Sequence, residues 1–178
     1  MRISSRKERR MFTTIGYEKA DLEDFIATLQ AGGVEVLVDI RDRAQSRRKG
    51  FSKTALSEAV QSVGIGYIHV KALGDPKEGR DAARAGLMDK FRSIFLGVMD
   101  GETAQIALEE VKELAKDRTI CLMCYERDHH CCHRKIVADH LEEALGCKAV
   151  HLGVNGNATR KSGARRVFYS RQSAAAQI

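Results

Sequence analysis

The sequence predicts an α/β fold: a three-layer Rossmann-like sandwich on a mostly parallel five-stranded sheet. Short apolar and β-branched runs alternate with stretches whose apolar residues recur at helical spacing. Two of the runs, Val34 to Ile40 and Thr119 to Met123, are almost unbroken apolar segments. That is the pattern of parallel strands covered on both faces. The chain has 178 residues, 43% hydrophobic and 30% charged, which suits one folded domain with a sizeable core.

Met11 to Ile15 is the first expected strand and stops at Gly16-Tyr17. Asp21 is placed to cap a helix carrying Leu22, Phe25, Ile26 and Leu29 on one face and ending at Gly32-Gly33. The second strand, Val34 to Ile40, runs into Asp39-Ile40-Arg41-Asp42-Arg43 and the guanidinium-dense Ser46-Arg47-Arg48-Lys49. Ser52 is placed to cap the next helix, with Leu56, Ala59, Val60 and Val63 inward and Gly64 at its end. Gly66 to Val70 is the third strand, followed by Leu73-Gly74-Asp75-Pro76. Lys77 to Gly86 is charged and shows no clear period. Leu87, Phe91, Ile94, Phe95, Val98 and Met99 mark one helix, and Ile106, Leu108, Val111, Leu114 and Ala115 another. Thr119 to Met123 is the fourth strand, the helix after it ends at Gly146, and Lys148 to Leu152 is the fifth. With right-handed crossovers, this order makes a parallel sheet whose ligand site lies beyond the carboxyl ends of its strands.

The net charge of +6 belongs to the ends. Residues 1–10 carry Arg2, Arg6, Lys7, Arg9 and Arg10 against Glu8. Residues 153–178 carry Arg160, Lys161, Arg165, Arg166 and Arg171 and no acid, so 11–152 is net acidic. The expected organisation is a basic arm (1–10), a single α/β domain (11–152) and a basic tail (153–178), in which Val167-Phe168-Tyr169 offers a short strand or docking segment. Such ends either bind nucleic acid and acidic partners or simply keep the protein in solution. No apolar run nears the roughly 20 residues that span a bilayer, and no signal-peptide core follows the basic start. The five cysteines crowd the last third of the chain, unlike a disulfide scaffold. The expectation is a cytoplasmic protein with free thiols and no membrane association; the oligomeric state is open.

Thr14-Ile-Gly-Tyr17, Val38-Asp-Ile-Arg41, Ser46-Arg-Arg48, Phe51, Leu73-Gly74, Cys124-Tyr-Glu126 and Cys132-His-Arg134 occur in this order. In them the chain resembles the domain-of-unknown-function family DUF488 over about residues 12–152. The resemblance implies a compact Rossmann-like domain and the position of its site, but no reaction. The chain departs from the family's pattern at Asp75, where the family has a second glycine. It departs again at Cys131 and the His129-His130 pair.

The loop between the fourth strand and the next helix concentrates the chemistry. Cys124 and Cys132 are rival nucleophiles, each placed where cations and a helix N-terminus lower a thiol pKa. The layout shares a cysteine before a helix N-terminus with phosphatase and rhodanese loops, yet Arg134 stands ten residues after Cys124, not at Cys-x5-Arg spacing. The competing assignment for Cys124 is a small buried hydrophobe. Glu126 is either a proton carrier or the partner of Arg134 or Arg41 in a bidentate pair, and His133 is either a proton donor or a backbone cap. Gly16, Tyr17, Asp39, Arg41, Arg47, Arg48 and Arg134 complete an expected anion-binding rim, with Asp39 orienting Arg41. His69, His140 and His151 are assigned to packing or surface.

No organic cofactor is indicated. Zinc is the minor reading: Cys124, His129, His130, Cys131, Cys132 and His133 are potential ligands at no standard spacing, and Cys121 and Cys124 fall on opposite faces of a strand. A Cys124–Cys132 disulfide would be a redox pair. The leading functional reading is a transferase or hydrolase on a phosphorylated or otherwise anionic small molecule. The alternatives are a nucleic-acid or nucleotide module using the Arg43 to Lys49 loop and the basic ends, and a thiol or zinc sensor. Without tryptophan, and with single scattered Phe and Tyr, the chain offers no stacking platform for bases.

Overall fold

The computed structural model describes residues 11–154. The basic arm, the basic tail from residue 155 and the Val167-Phe168-Tyr169 segment lie outside the described residues. The described chain forms five strands: β1 (Thr13–Gly16), β2 (Val36–Asp39), β3 (Gly66–His69), β4 (Ile120–Cys124) and β5 (Val150–Leu152). All pair in parallel, in the order β3-β2-β4-β1-β5. The helices are α1 (Leu22–Ala31), α2 (Lys53–Gln61), α3 (Lys77–Arg84), α4 (Met88–Met99), α5 (Glu102–Asp117) and α6 (His133–Leu145).

The period-2 alternation of the strands divides the core in two. Leu37, Cys121 and Met123 pack with Phe25 and Leu29 of α1 and Leu56 and Val60 of α2. Val38, Ile120 and Leu122 pack with Phe91, Phe95 and Met99 of α4, Val111 of α5 and Val137 and Leu141 of α6. The sheet thus lies between two helical layers. Strands β1 to β3 step one way across it with α1 and α2 on one face; β4 and β5 step back with α3 to α6 on the other. Strand β4 therefore sits between β1 and β2, whose following helices leave by the opposite face. A crevice opens beyond such a switch of direction. No helix of the described residues is long and apolar enough to cross a membrane.

Four expectations are corrected. Val63, expected inward, lies beyond the end of α2 and is exposed. The charged stretch after Pro76 is a helix, α3, so three helices, not two, join β3 to β4. Its only buried residues are the small Gly79 and Ala82, which leaves no large apolar stripe to read. Asp21 and Ser52 stand at the N-cap positions of α1 and α2 with extended backbone, but neither side chain makes a capping hydrogen bond. The strands are also shorter than their apolar runs, because Val34 and Ile40 are buried at loop positions flanking β2.

Arg134, in the first turn of α6, is the largest fully buried side chain among the described residues, at 1% exposure. Its Nη1 donates to the carbonyls of Ile15 in β1 and Glu126 after β4, both at 2.9 Å. It joins one strand end, the adjoining loop and one helix start. Arg134→Leu leaves two carbonyls without their donor, and urea denaturation is expected to show a loss of about 2–4 kcal/mol.

Candidate functional site

A cleft of about 1130 Å³ opens at the carboxyl ends of β1, β2 and β4. Seven basic side chains line it: Arg41, Arg43, Arg47 and Arg48 after β2, and Lys77, Arg80 and Arg84 from α3. Asp42, Asp75 and Glu126 are its only acids among the described residues, and Cys124, Cys131, Cys132 and His133 also line it. Lys77, Arg80 and Arg84 recur at helical spacing, so one face of α3 is a cationic stripe.

At the floor, β4 ends at Cys124 and α6 begins after Cys132. Cys132 is the N-cap, its Sγ accepting the backbone N–H of Arg134 at 3.4 Å. Cys124 Sγ lies 3.3 Å from Glu126 Oε2 and 3.6 Å from His133 Nδ1, and Cys132 Sγ lies 3.9 Å from the same nitrogen. His133 Nε2 is 3.0 Å from the carbonyl of Ile40. A carbonyl only accepts, so Nε2 carries a proton and Nδ1 faces both sulfurs. The ring packs against Phe95, with centroids 5.0 Å apart.

The expected low-pKa thiolate is not what this floor provides. Burial pushes the Cys124 and Cys132 thiols up, outweighing the cations nearby. Burial would raise Glu126 as well, but hydrogen bonds from Cys132 and its own backbone bring it below the ordinary carboxylate value. Burial opposes charge on His133, yet the facing Cys132 sulfur and the Ile40 carbonyl raise its pKa. The resting floor is therefore two protonated thiols beside an ionised carboxylate and a basic imidazole.

Above the floor, four hydrogen bonds to three residues hold the Arg41 side chain. Its Nε and Nη2 take Asp39 in a bidentate pair at 2.8 and 2.6 Å, and its Nη1 donates to Tyr17 Oη and the Phe51 carbonyl at 3.0 and 2.9 Å. Burial works against its charge, but Asp39 holds the guanidinium firmly protonated. Tyr17 stacks on Phe51 at 4.6 Å. Tyr67 donates to Asp39 Oδ2 at 2.6 Å. Arg41 thus positions the loop and faces the cleft, while Asp39 is fully buried and orients it. Arg48 reaches back to the carbonyl of Ala20 through Nε and Nη2 at 3.1 and 2.6 Å. Arg43 and Arg47 are exposed and form no ion pair among the described residues.

Two expected rim residues belong instead to the scaffold. Arg134 is spent on backbone carbonyls and does not line the cleft. Gly16 makes room: a Cβ there would lie 1.8 Å from the Glu126 carbonyl oxygen. Glu126 forms no bidentate pair with Arg134 or Arg41; its backbone oxygen, not its carboxylate, meets Arg134. Cys124 and Cys132 are free thiols, not a disulfide.

The six expected ligands do not form one cluster: Cys131 joins neither of the two groups in which ligand atoms meet, and Asp128 enters one of them. Cys124, Cys132 and His133 place their ligand atoms within 4.8 Å of one another and are buried. Asp128, His129 and His130 form a separate group nearer the surface. Of these, His129 stacks on His151 with centroids 3.6 Å apart, and burial pushes both down to about 4, so the stack is uncharged at neutral pH. His151 also meets Thr14 Oγ1 at 2.7 Å, and His69 Nε2 meets the Arg41 carbonyl at 2.7 Å.

Asp75, Arg80, Lys77 and Arg84 escaped the sequence reading as site residues. The i, i+3, i+7 spacing of the three cations was the signal available, whereas nothing local marks Asp75 as buried. Arg80 Nη1 donates to Asp42 Oδ2 at 2.9 Å and to the Asp75 carbonyl. Burial pushes the Asp75 carboxyl up to about 6, with Glu126 and Asp42 adding to the rise and His133 and Arg80 opposing it. An ordinary Asp titrates near about 4. The folded state therefore holds this proton more tightly than the unfolded chain, and stability falls as pH rises from about 4 through about 6. Asp75→Asn removes that loss. Paired thermal melts are expected to show the variant gaining on the wild type as pH rises across this window, then a constant difference above it.

The family model described as "Domain of unknown function DUF488" matches residues 21–141. No curated protein and no solved structure matches the chain.

Proposed function

The chain belongs to the DUF488 family, and we propose from its site that it is a hydrolase or transferase acting on a phosphorylated or otherwise anionic small molecule. The observation that carries this is the cleft: basic side chains from two separate segments converge above a floor of Cys124, Glu126, Cys132 and His133. Cations concentrated in a concave site focus their field and favour an anion there. Guanidinium groups suit phosphate and carboxylate oxygens geometrically. A purely structural cluster would neutralise itself, and Arg41 with Asp39 and Arg80 with Asp42 do so. Arg43 and Arg47 supply charge beyond those pairs.

The roles divide by depth. Arg43, Arg47 and the α3 cations hold the anionic group, with Arg41 and Tyr17 fixing the wall behind it. Cys124, Cys132 and His133 form the reacting centre. Glu126, ionised and beside Cys124, accepts a proton there.

The test is a turnover screen of the full-length protein against phosphorylated metabolites. Arg47→Glu is expected to raise KM for the substrate found by about tenfold, an interaction loss of about 1.4 kcal/mol. Cys124→Ser is expected to fold normally by circular dichroism and lose turnover. An unchanged KM in the first variant, with unchanged turnover in the second, removes both the anion clamp and the reacting centre from the account. The nucleic-acid alternative rests on the basic ends and requires binding that weakens steeply with added salt.

A further inference from the structure

We propose that Cys124, Cys132 and His133 form a binding site for a thiophilic divalent cation, zinc above all, with a fourth position open to the cleft. The inference goes beyond the anion reading and does not depend on the substrate.

The first argument is distance. In tetrahedral zinc sites the metal lies about 2.3 Å from sulfur and about 2.0–2.1 Å from imidazole nitrogen. Tetrahedral angles then set sulfur and nitrogen about 3.5 Å apart and two sulfurs about 3.8 Å apart. Here the sulfur-to-nitrogen separations are 3.6 and 3.9 Å, and the three ligand atoms all lie within 4.8 Å of one another. Both sulfur-to-nitrogen separations are within a few tenths of an ångström of that geometry.

The second is the state of the imidazole. The Ile40 carbonyl, 3.0 Å from Nε2, engages that nitrogen and leaves Nδ1 as the ring atom facing the sulfurs. A ligand histidine donating its other N–H to a backbone carbonyl is the usual outer-shell arrangement of metal sites.

The third is the setting of the sulfurs. Cys132 receives the backbone N–H of Arg134 at 3.4 Å, which fixes its sulfur at the start of α6. Cys124 stands on the last residue of the central strand β4, so both sulfurs are carried by regular elements. Three protein ligands beside a solvent-accessible cleft make the open arrangement found in catalytic zinc centres, not the closed one of structural sites. Glu126 Oε2 lies 3.3 Å from Cys124 Sγ and Glu126 lines the same cleft.

The spacing hid this set. Cys124-x7-Cys132-His133 is no standard ligand motif. Only the meeting of a strand end with a helix start brings the three together.

The experiment uses the reduced full-length protein and the metal alone. Zinc competition against a chromophoric chelator is expected to give one equivalent bound. Cobalt(II) is expected to give thiolate-to-metal charge transfer and the strong visible bands of a tetrahedral site, which requires no variant. Cys132→Ser and His133→Gln, checked for folding by circular dichroism, are expected to weaken zinc at least 100-fold. Cys147→Ser, outside the cleft, is expected to bind as wild type. Absence of binding, cobalt spectra without thiolate charge transfer, or binding kept in Cys132→Ser and lost in His130→Ala overturns the proposal. Turnover of a phosphorylated substrate by metal-free protein sinks the metal at this reaction centre and leaves the anion reading standing. Zinc bound without any anion affinity does the reverse.

Discussion

A guanidinium buried without a carboxylate among its hydrogen-bond partners is the constraint on which the site depends. Arg134 spends Nη1 on the carbonyls of Ile15 and Glu126, and its buried Nε has no acceptor. Burying a cation this way is costly, and the two carbonyl hydrogen bonds at 2.9 Å offset part of that cost. The contact exists only because residue 16 is glycine, since any Cβ would collide with the Glu126 carbonyl. One side chain thus fixes where the loop after β4 crosses the end of β1. It also fixes where α6 starts, and therefore where Cys132 and His133 stand relative to Cys124.

The same logic grades the arginines by depth. Those at the bottom serve the fold: Arg134 holds backbone, and Arg41 is divided among Asp39, Tyr17 and Phe51. Toward the mouth the charges become less committed. Lys77 and Arg84 share Asp81 on the surface of α3 in exposed pairs of small worth. Arg43 and Arg47 have no such partner among the described residues. Pre-formed geometry below and available charge above are what a small anionic ligand requires.

Much of this was legible in the sequence. The apolar runs of β2 and β4 revealed a covered parallel sheet, and the strand-to-helix passage from Cys124 to His133 marked the site. The face assignment also held: Cys121 lies in the core under α1 and α2, while Cys124, three residues on, joins His133. What could not be read depended on burial and on meetings between distant segments. Thiol pKa is the plainest case, because neighbouring cations predict a fall and desolvation, invisible in sequence, reverses it. Arg134 looked like a ligand clamp because nothing local announces that two carbonyls await it. Helix α3 buries only Gly79 and Ala82, so its signal lay in the charges rather than the apolar residues.

The account stands or falls on whether the cations of two segments converge on one place above the thiols. An anomalous difference map from crystals soaked in tungstate, a heavy tetrahedral oxyanion, tests this directly. The account predicts a peak inside the cleft, within hydrogen-bond reach of Arg47 or Arg80 and over Cys124. Peaks confined to the outer surface, with the cleft empty at the same tungstate concentration, would contradict it.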